Sequence, residues 1–201
     1  MRYDAIVVGV STGGWDALNK LIPGLPKIFG TPIIIAQHVA RTSDRYLVRK
    51  LDTLSPLTVR EAEDKVAIDD YTIYLAPANY HLLAEQNRTL ALSVCPPVNY
   101  SRPSIDVLFE SAADAFGRNL IGILLTGASP DGSRGLMKIK QKGGLTIVQD
   151  PKTAESAIMP LSAINLFEVD HVMSLEKLVP FLLSTLALRK TRRNGSANTQ
   201  I

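Results

Sequence analysis

The sequence has little cysteine and no long apolar run, and both absences narrow the kinds of protein it can encode. The single cysteine, Cys95, cannot form an intrachain disulfide, which is typical of a reducing compartment. No apolar run reaches the roughly 18 residues that a membrane-spanning helix needs. The N-terminus shows no basic leader and no small-residue cleavage site. We therefore expect a cytoplasmic protein without membrane insertion, in which Cys95 is a packing residue.

The excess of positive charge is small and unevenly distributed. The chain has 22 Lys and Arg against 19 Asp and Glu, with a pI near 9.0. Four of the basic residues fall between positions 189 and 193, and without them 18 positive charges face 19 negative ones. Because nucleic-acid binding requires a basic surface on the folded domain, we expect no nucleic-acid partner. Residues 1–188 are predicted to form one domain and 189–201 a flexible basic tail.

Short apolar runs that alternate with helical patterns predict an α/β domain. Continuous apolar runs are typical of strands buried on both faces. The strands predicted in this way are 4–10, 32–36, 57–62, 120–126 and 145–149. The predicted helices are 13–22, one that begins after Ser43 as N-cap, 104–117, 131–142, 154–167 and 175–188. Strands that alternate with helices predict a parallel sheet covered on both faces, with right-handed crossovers.

The middle of the chain has a different pattern. Segments 71–76, 81–85 and 89–94 are short strand-like runs separated by turn sequences, which predicts an antiparallel meander. The predicted fold is therefore a three-layer, doubly wound, mostly parallel α/β sheet, with the meander as an antiparallel extension at one edge.

Three of the predicted strands lead into residues that can carry hydrolytic chemistry. Ser11 follows the first strand in a G-x-S-x-G pattern, in which small neighbours let the backbone turn sharply and expose the serine oxygen. His38 follows the second strand, and Asp131 opens the helix after strand 120–126. Because ligands bind outside the carboxyl ends of parallel strands, we expect these side chains to share one edge of the sheet.

A serine, an imidazole and a carboxylate are the three groups of a serine hydrolase. The imidazole takes the proton of the weakly nucleophilic hydroxyl, and the carboxylate fixes the imidazole tautomer and stabilises the imidazolium. The chain order Ser, His, Asp differs from the Ser, Asp, His order of α/β-hydrolases, which argues only against that particular fold.

Other roles stay open for each residue on this evidence alone. The glycine-rich turn is also compatible with a phosphate cradle, His38 with a hydrogen-bonded structural histidine, and Asp131 with a helix cap. Asp150 also ends a strand and is the reserve acid. The dinucleotide fingerprint requires glycine where Ser11 stands, and the Walker pattern requires an absent Gly-Lys pair. The histidines, which include His81 and His171, have no metal-site spacing, so we expect no metal.

Taken together, the motifs resemble the catalytic domain of the protein-glutamate methylesterases of bacterial chemotaxis, the CheB type. Six segments in the order of that family carry the resemblance: 9–18, 33–39, 73–83, 101–113, 123–136 and 148–164. The resemblance implies a serine hydrolase that demethylates glutamyl methyl esters on the cytoplasmic helices of chemoreceptors, and some relatives deamidate glutamines. It implies Ser11 as nucleophile, His38 as base and Asp131 as orienting acid, without a cofactor.

The resemblance also suggests residues around the nucleophile. Backbone N–H groups of Thr12 and of the loop 126–128, which includes Ala128, are the candidates for binding the oxyanion. Thr12, Gln37 and Arg102 are candidate substrate or supporting contacts, with helix capping and solvated polar roles as the open alternatives.

The chain departs from the family pattern at three positions. Ala128 replaces the usual methionine, Pro130 removes one N–H, and Ile158 replaces a usual glycine, so that the turn there must avoid positive φ. Many family members carry an N-terminal receiver domain, and some are fused to a methyltransferase. Because the sequence opens at the first predicted strand, we expect either an enzyme without receiver control or one domain of a longer protein.

Three alternatives to a receptor methylesterase remain. They are a serine esterase of the same family with another substrate, a non-catalytic interaction domain that retains the fold, and a nucleotide-binding module.

Overall fold

The computed structural model describes residues 3–40 and 45–194, with side chains as far as Leu186. The strands are β1 Ala5–Val10, β2 Ile33–Gln37, β3 Thr58–Glu61, β4 Thr72–Leu75, β5 His81–Ala84, β6 Leu90–Ser93, β7 Leu120–Leu124, β8 Leu145–Gln149 and β9 His171–Met173. The α-helices are α1 Gly14–Leu21, α2 Tyr46–Leu54, α3 Ile105–Phe116, α4 Ser133–Gln141, α5 Ile158–Leu166 and α6 Leu175–Asn194.

Seven strands form one parallel sheet in the order β3-β4-β2-β1-β7-β8-β9. β1 lies at the centre, and all six of its residues are buried. Alternate residues of this strand face opposite sides of the sheet. Ile6 and Val8 join the apolar cluster that contains residues of α1 and α6, while Val7 joins the cluster that contains residues of α3, α4 and α5. A strand covered on both faces requires a continuous apolar run, which is what the sequence provides.

The predicted three-layer, doubly wound α/β fold is confirmed, with one difference in the pairing of its strands. Segment 72–75, expected in an antiparallel meander, is a parallel strand of the main sheet between β2 and β3. β5 and β6 pair with each other and form a separate two-stranded antiparallel sheet rather than an extension of the main one. All four residues of β4 are buried, and a four-residue apolar run does not reveal whether its partners are parallel or antiparallel.

Several boundaries also differ from the prediction. β9 was not predicted, because three half-exposed residues leave almost no pattern. Helix α5 begins at Ile158 instead of 154, since Pro151–Thr153 forms a separate 3-10 turn. The predicted tail began at 189, but the helical backbone of α6 runs to Asn194, because Arg and Lys are good helix formers. Residues 195–201 of that predicted tail, and the predicted N-cap Ser43, lie outside the described residues.

Two further predictions concern the burial of Cys95 and membrane-spanning helices. Cys95 is exposed, so the prediction that it packs in the interior was wrong: it lies in the extended loop after β6. Among the residues that the structure describes, none of the helices combines the length and the apolar character that crossing a bilayer requires.

Replacement of Phe109 tests the cluster beneath α3. Its ring is fully buried, so Phe109→Ala is expected to lower the free energy of unfolding by about 3–5 kcal/mol through lost contacts and a residual cavity. Urea unfolding measures this change. Ile28→Ala, at a side chain that is 81% exposed, is the control and should change stability by no more than about 0.5 kcal/mol. Similar small losses in both variants would contradict the assignment of Phe109 to the core.

Candidate active site

The centre of the sheet brings three loops together. From β1 the chain continues to β2 on one side, and it returns later to β7 on the other, so β1 lies at a topological switch point. The pairing continues past the strand ends: the N–H of His38 donates to the carbonyl of Val10 at 3.1 Å, and that of Ser11 donates to Thr126 at 3.0 Å. The switch point of an open parallel sheet is the usual position of a binding site.

The turn after β1 has the geometry that the G-x-S-x-G pattern predicts. Gly13 has a φ of 77°, a left-handed conformation that a side chain would strain, and it serves as N-cap of α1. The carbonyl of Ser11 accepts a hydrogen bond from the N–H of Gly14 at 2.8 Å, which closes the turn. Ser11 therefore projects from a sharp connection between strand and helix.

The side chains of Ser11, His38 and Asp131 form one hydrogen-bonded chain. Nδ1 of His38 lies 3.1 Å from Oγ of Ser11, and Nε2 lies 2.8 Å from Oδ2 of Asp131. The carboxylate is an acceptor, so Nε2 carries the proton that it donates to Asp131, and Nδ1 is left to accept the hydroxyl proton. The imidazole is 14% exposed and the carboxylate is fully buried.

The N-terminus of α3 surrounds the Asp131 carboxylate with donors. The N–H groups of Ile105 and Asp106 donate to it at 2.6 and 3.2 Å, and the hydroxyl of Ser104 donates at 2.9 Å. The first N–H groups of a helix have no partner inside the helix, and the helix dipole favours an anion there. Burial raises the pKa of Asp131, but the hydrogen bonds from His38, Asn99 and the Ile105 amide outweigh it and hold the pKa below its ordinary value.

A second carboxylate, that of Asp106, is buried next to the first. It accepts the N–H of Gly135 at 2.8 Å, and the side-chain amide of Asn99 at 3.0 Å. The same Asn99 nitrogen donates to Asp131 at 2.9 Å. Burial, together with the negative charges of Asp131 and Glu110, raises the pKa of Asp106 to about 6, against the opposing hydrogen bond from Gly135.

The loop after β7 passes close to Ser11. A Cβ placed on Gly127 would lie 2.5 Å from Cε of Met159 and 3.0 Å from Cβ of Ser11, so a side chain here would require these neighbours to shift. The N–H of Thr126 donates to Gln149 at 2.9 Å, and that of Gly127 donates to Ser156 at 3.1 Å. Of the loop 126–128, this leaves the N–H of Ala128, for which no acceptor lies among the described residues.

The other predicted contact residues occupy varied positions. Thr12 is exposed beside Ser11, and its carbonyl accepts the hydroxyl of Thr126 at 2.8 Å. Gln37 is half-buried at the end of β2, and its Oε1 has no partner among the described residues. Arg102 donates to Asn79 at 2.7 Å and to the carbonyls of residues 94 and 95. Its hydrogen bonds therefore join the loop before α3 to the loop that contains Asn79 and to the segment after β6.

The remaining candidates have structural contacts. Asp150 accepts the N–H of Lys152 at 3.0 Å and caps the 3-10 turn there, so Asp131 is the acid that reaches His38. His81 is buried: Nδ1 accepts the N–H of Ser104 at 3.2 Å, and Nε2 lies 3.1 Å from the carbonyl of Pro96. Within residues 3–40 and 45–194, no cluster of three ligand-type side chains suited to a metal occurs.

Ile158 has the backbone conformation that was predicted, whereas three residues near His38 and Asp131 were not predicted. Ile158 opens α5 and does not have positive φ, as predicted from its replacement of glycine. Asn99, Asp106 and Ser101 were not predicted as part of the site. Ser101 places Oγ 3.5 Å from Nδ1 of His38. Asn99 lies in a proline-rich loop. Its one indication in the sequence was that asparagine tolerates the left-handed conformation of a turn.

Two open cavities are lined by residues that neighbour this site in sequence. One, of about 260 Å³, is lined by polar and charged groups that include Lys20, Lys152 and Glu155, beside Gly13. The other, of about 250 Å³, is more apolar and is lined by Gln37 and residues of α2 such as Leu47. Ser11, His38 and Asp131 line neither of them.

Comparison with known proteins gives matches over nearly the whole chain. The family model described as CheB methylesterase matches residues 6–182. A Leptospira interrogans protein provisionally named protein-glutamate methylesterase/protein-glutamine glutaminase is 50% identical over 183 residues, which cover 91% of this chain and 95% of the relative. A Pyrococcus horikoshii protein of the same name is 36% identical; the match covers 87% of this chain and 48% of the relative.

A solved structure shares the fold described above. The crystal structure of the Thermotoga maritima CheB methylesterase catalytic domain superposes with a TM-score of 0.87 at 34% sequence identity. The match covers 92% of this chain and all of the other.

The raised pKa of Asp106 predicts a pH dependence of stability. A carboxyl whose pKa is about 6 in the folded protein binds a proton that the unfolded chain releases near pH 4. Its contribution to stability is therefore full below pH 4 and is lost as pH rises through 6. Urea unfolding of the native chain and Asp106→Asn between pH 4 and 7 measures this, and the decline should be weaker in the variant. Equal declines in both would contradict the assignment.

Proposed function

The chain belongs to the CheB methylesterase family and is an enzyme of the protein-glutamate methylesterase class, and we propose that it works as a serine hydrolase. In this mechanism Ser11 is the nucleophile, His38 the general base and Asp131 the acid that orients the imidazole. The observation that carries the proposal is the continuous hydrogen-bonded chain through these side chains, with distances of 3.1 and 2.8 Å. Geometry of this kind identifies a triad regardless of the order of its residues in the chain.

The acylation step follows from the tautomer of His38. Nδ1 takes the proton of the Ser11 hydroxyl as Oγ attacks the ester carbonyl carbon, which gives a tetrahedral oxyanion. Collapse of this intermediate breaks the bond to the methoxy oxygen, and Nδ1 returns the proton to that oxygen. Methanol leaves, and a glutamyl ester on Ser11 remains.

The deacylation step repeats the same proton transfers with water. Nδ1 takes a proton from a water molecule, whose oxygen attacks the acyl carbon. The second intermediate expels Oγ of Ser11, which recovers its proton from Nδ1, and the glutamate carboxyl is released. Throughout, Asp131 holds the proton on Nε2 in place and stabilises the imidazolium that forms in each half-reaction.

The oxyanion is bound by the backbone N–H groups of Thr12 and Ala128. The structure supports this choice by elimination, because the N–H groups of Thr126 and Gly127 already donate to other acceptors. Pro130 has no N–H to offer. Donors that are fixed before the reaction stabilise the developing charge without reorganisation, which is why such groups are among the largest contributors to catalysis.

The proposed substrates are glutamyl methyl esters, and also glutamines, on the cytoplasmic helices of chemoreceptors. The names of the relatives, which pair a methylesterase with a glutaminase, support this substrate class. We place the reaction in the cytoplasm as a step of receptor adaptation. The chain spans about half the length of relatives such as the Pyrococcus horikoshii protein, so a receiver or methyltransferase domain, in the same chain or as a partner, is the proposed source of control.

Methanol release from a receptor fragment tests the reaction and the nucleophile together. The purified chain is incubated with a chemoreceptor cytoplasmic fragment that carries labelled methyl esters, and labelled methanol is counted. Ser11→Ala is expected to lower the rate by about 10⁴-fold or more, as for other triad nucleophiles.

Ser184→Ala is the matched control, because this exposed serine lies on α6 and donates to the carbonyl of Phe181. It should release methanol at the native rate. Equal methanol release by Ser11→Ala and the native chain would contradict the assigned nucleophile. No release by the native chain from a receptor of the same cell would favour another ester substrate or a non-catalytic domain.

Removal of a single N–H group tests the oxyanion site. Ala128→Pro deletes the N–H while leaving the side chain small, and it should lower kcat about 100- to 1000-fold, as for loss of one oxyanion donor. Ala128→Ser keeps the N–H and should retain most of the activity. Circular dichroism checks that both variants fold. A kcat for Ala128→Pro within a few-fold of that for Ala128→Ser would exclude this N–H from the oxyanion site.

A further inference from the structure

The loop before α3 contains a tight two-residue turn. Val98 and Ser101 exchange backbone hydrogen bonds of 3.1 and 2.9 Å, and the residues between them, Asn99 and Tyr100, have φ of 49° and 63°. Left-handed conformations are unfavourable for a bulky residue such as tyrosine. Tyr100 nevertheless occupies one with its side chain wholly exposed, so its own contacts do not explain the turn. Asn99 is itself exposed, but from this turn its amide nitrogen reaches two buried carboxylates.

Asn99 donates both hydrogens of one amide group to two different buried carboxylates. Nδ2 lies 2.9 Å from Oδ1 of Asp131 and 3.0 Å from Oδ2 of Asp106. The two carboxylates are fully or almost fully buried, with exposures of 0% and 3%. They approach the same nitrogen. Without this amide Oδ2 of Asp106 would lose its donor among the described residues, while Oδ1 of Asp131 would keep the hydroxyl of Ser104 and the N–H of Asp106. Two carboxylates in that arrangement tend to retain one proton between them.

The donors around the pair are distributed unequally. Asp131 also receives hydrogen bonds from His38, Ser104 and two backbone N–H groups at the start of α3. Apart from the shared amide, Asp106 receives the N–H of Gly135. A negative charge is therefore better stabilised on Asp131, and a retained proton belongs on Asp106.

We propose that Asn99 is a positioning residue, which donates to both carboxylates at once and supports the charged form of Asp131 that orients His38. This inference rests on the proposed function, since it assigns a role relative to the same triad. Asn99 does not touch the reacting atoms: it acts through Asp131. The other ionisable groups near the pair are Glu110, which acts on Asp106, and His81, which is bonded to Ser104.

The carboxyl of Asp106 reports directly on this arrangement. Burial raises the pKa of this carboxyl, and the hydrogen bond from Asn99 opposes that rise. When the amide is removed, the pKa of Asp106 should therefore rise further, and the carboxylate of Asp131 loses one of the donors that stabilise its charge.

Two substitutions at position 99 keep the turn. Asn99→Gly suits positive φ and removes the amide, while Asn99→Asp keeps the shape and the turn preference but replaces the donor with a third carboxylate. NMR titration of the Asp106 carboxyl is expected to give a raised pKa in both variants, because both remove the amide that donates to it. In the receptor assay we expect kcat to fall about 10- to 100-fold at neutral pH, with a small change in KM.

Tyr100→Gly is the matched control, because it changes the neighbouring residue of the same turn and no buried contact. Its Asp106 titration should equal that of the native chain. An unchanged Asp106 titration in both Asn99 variants, or an equal shift in Tyr100→Gly, would overturn the proposal. The titration needs no substrate, so it tests the role of Asn99 independently of the methanol assay. A native chain that releases no methanol would refute the proposed function, and the titration would still give a result for Asn99.

Discussion

The structure depends on keeping the Asp131 carboxylate charged although it is buried. A buried carboxylate without partners would take up a proton or destabilise the fold. Here five donors surround it: the imidazole of His38, the amide of Asn99, the hydroxyl of Ser104 and two N–H groups of α3. They come from two separate segments of the chain, the loop after β2 and residues 99–106, and Asp131 itself belongs to a third. The charge that orients the imidazole therefore exists only when these parts are assembled.

This constraint explains why α3 occupies its position. The helix packs on the sheet through Leu108 and the fully buried Phe109, and its first N–H groups point to the edge where β1, β2 and β7 end. Ser104 serves twice there, since it accepts the N–H of Val107 as N-cap and donates to Asp131. Packing in the interior thus sets the electrostatics at the edge. A substitution far from the triad can change the triad if it moves this helix.

The sequence predicts the parts of this arrangement that depend on local patterns. Continuous apolar runs identify the central strands, and the rule that ligands bind at strand ends predicts that Ser11, His38 and Asp131 meet. Strand β4 was placed in the wrong pairing because four buried residues do not specify their partners. Asn99 and Asp106 were missed for another reason: their contact with Asp131 joins residues 25 to 32 positions apart, and charge compensation of this kind has no local signature.

The orientation of His38 follows from the spacing of parallel strands. Ser11 and His38 extend from neighbouring strands, which lie about 4.8 Å apart, so the nitrogen nearer the backbone, Nδ1, is the one that meets the serine. The outer nitrogen, Nε2, must then find its acid farther from β2, on the side where α3 covers the sheet. Asp131 occupies that position and is fully buried. The sheet geometry that brings His38 to Ser11 therefore also places the carboxylate where it needs the surrounding donors.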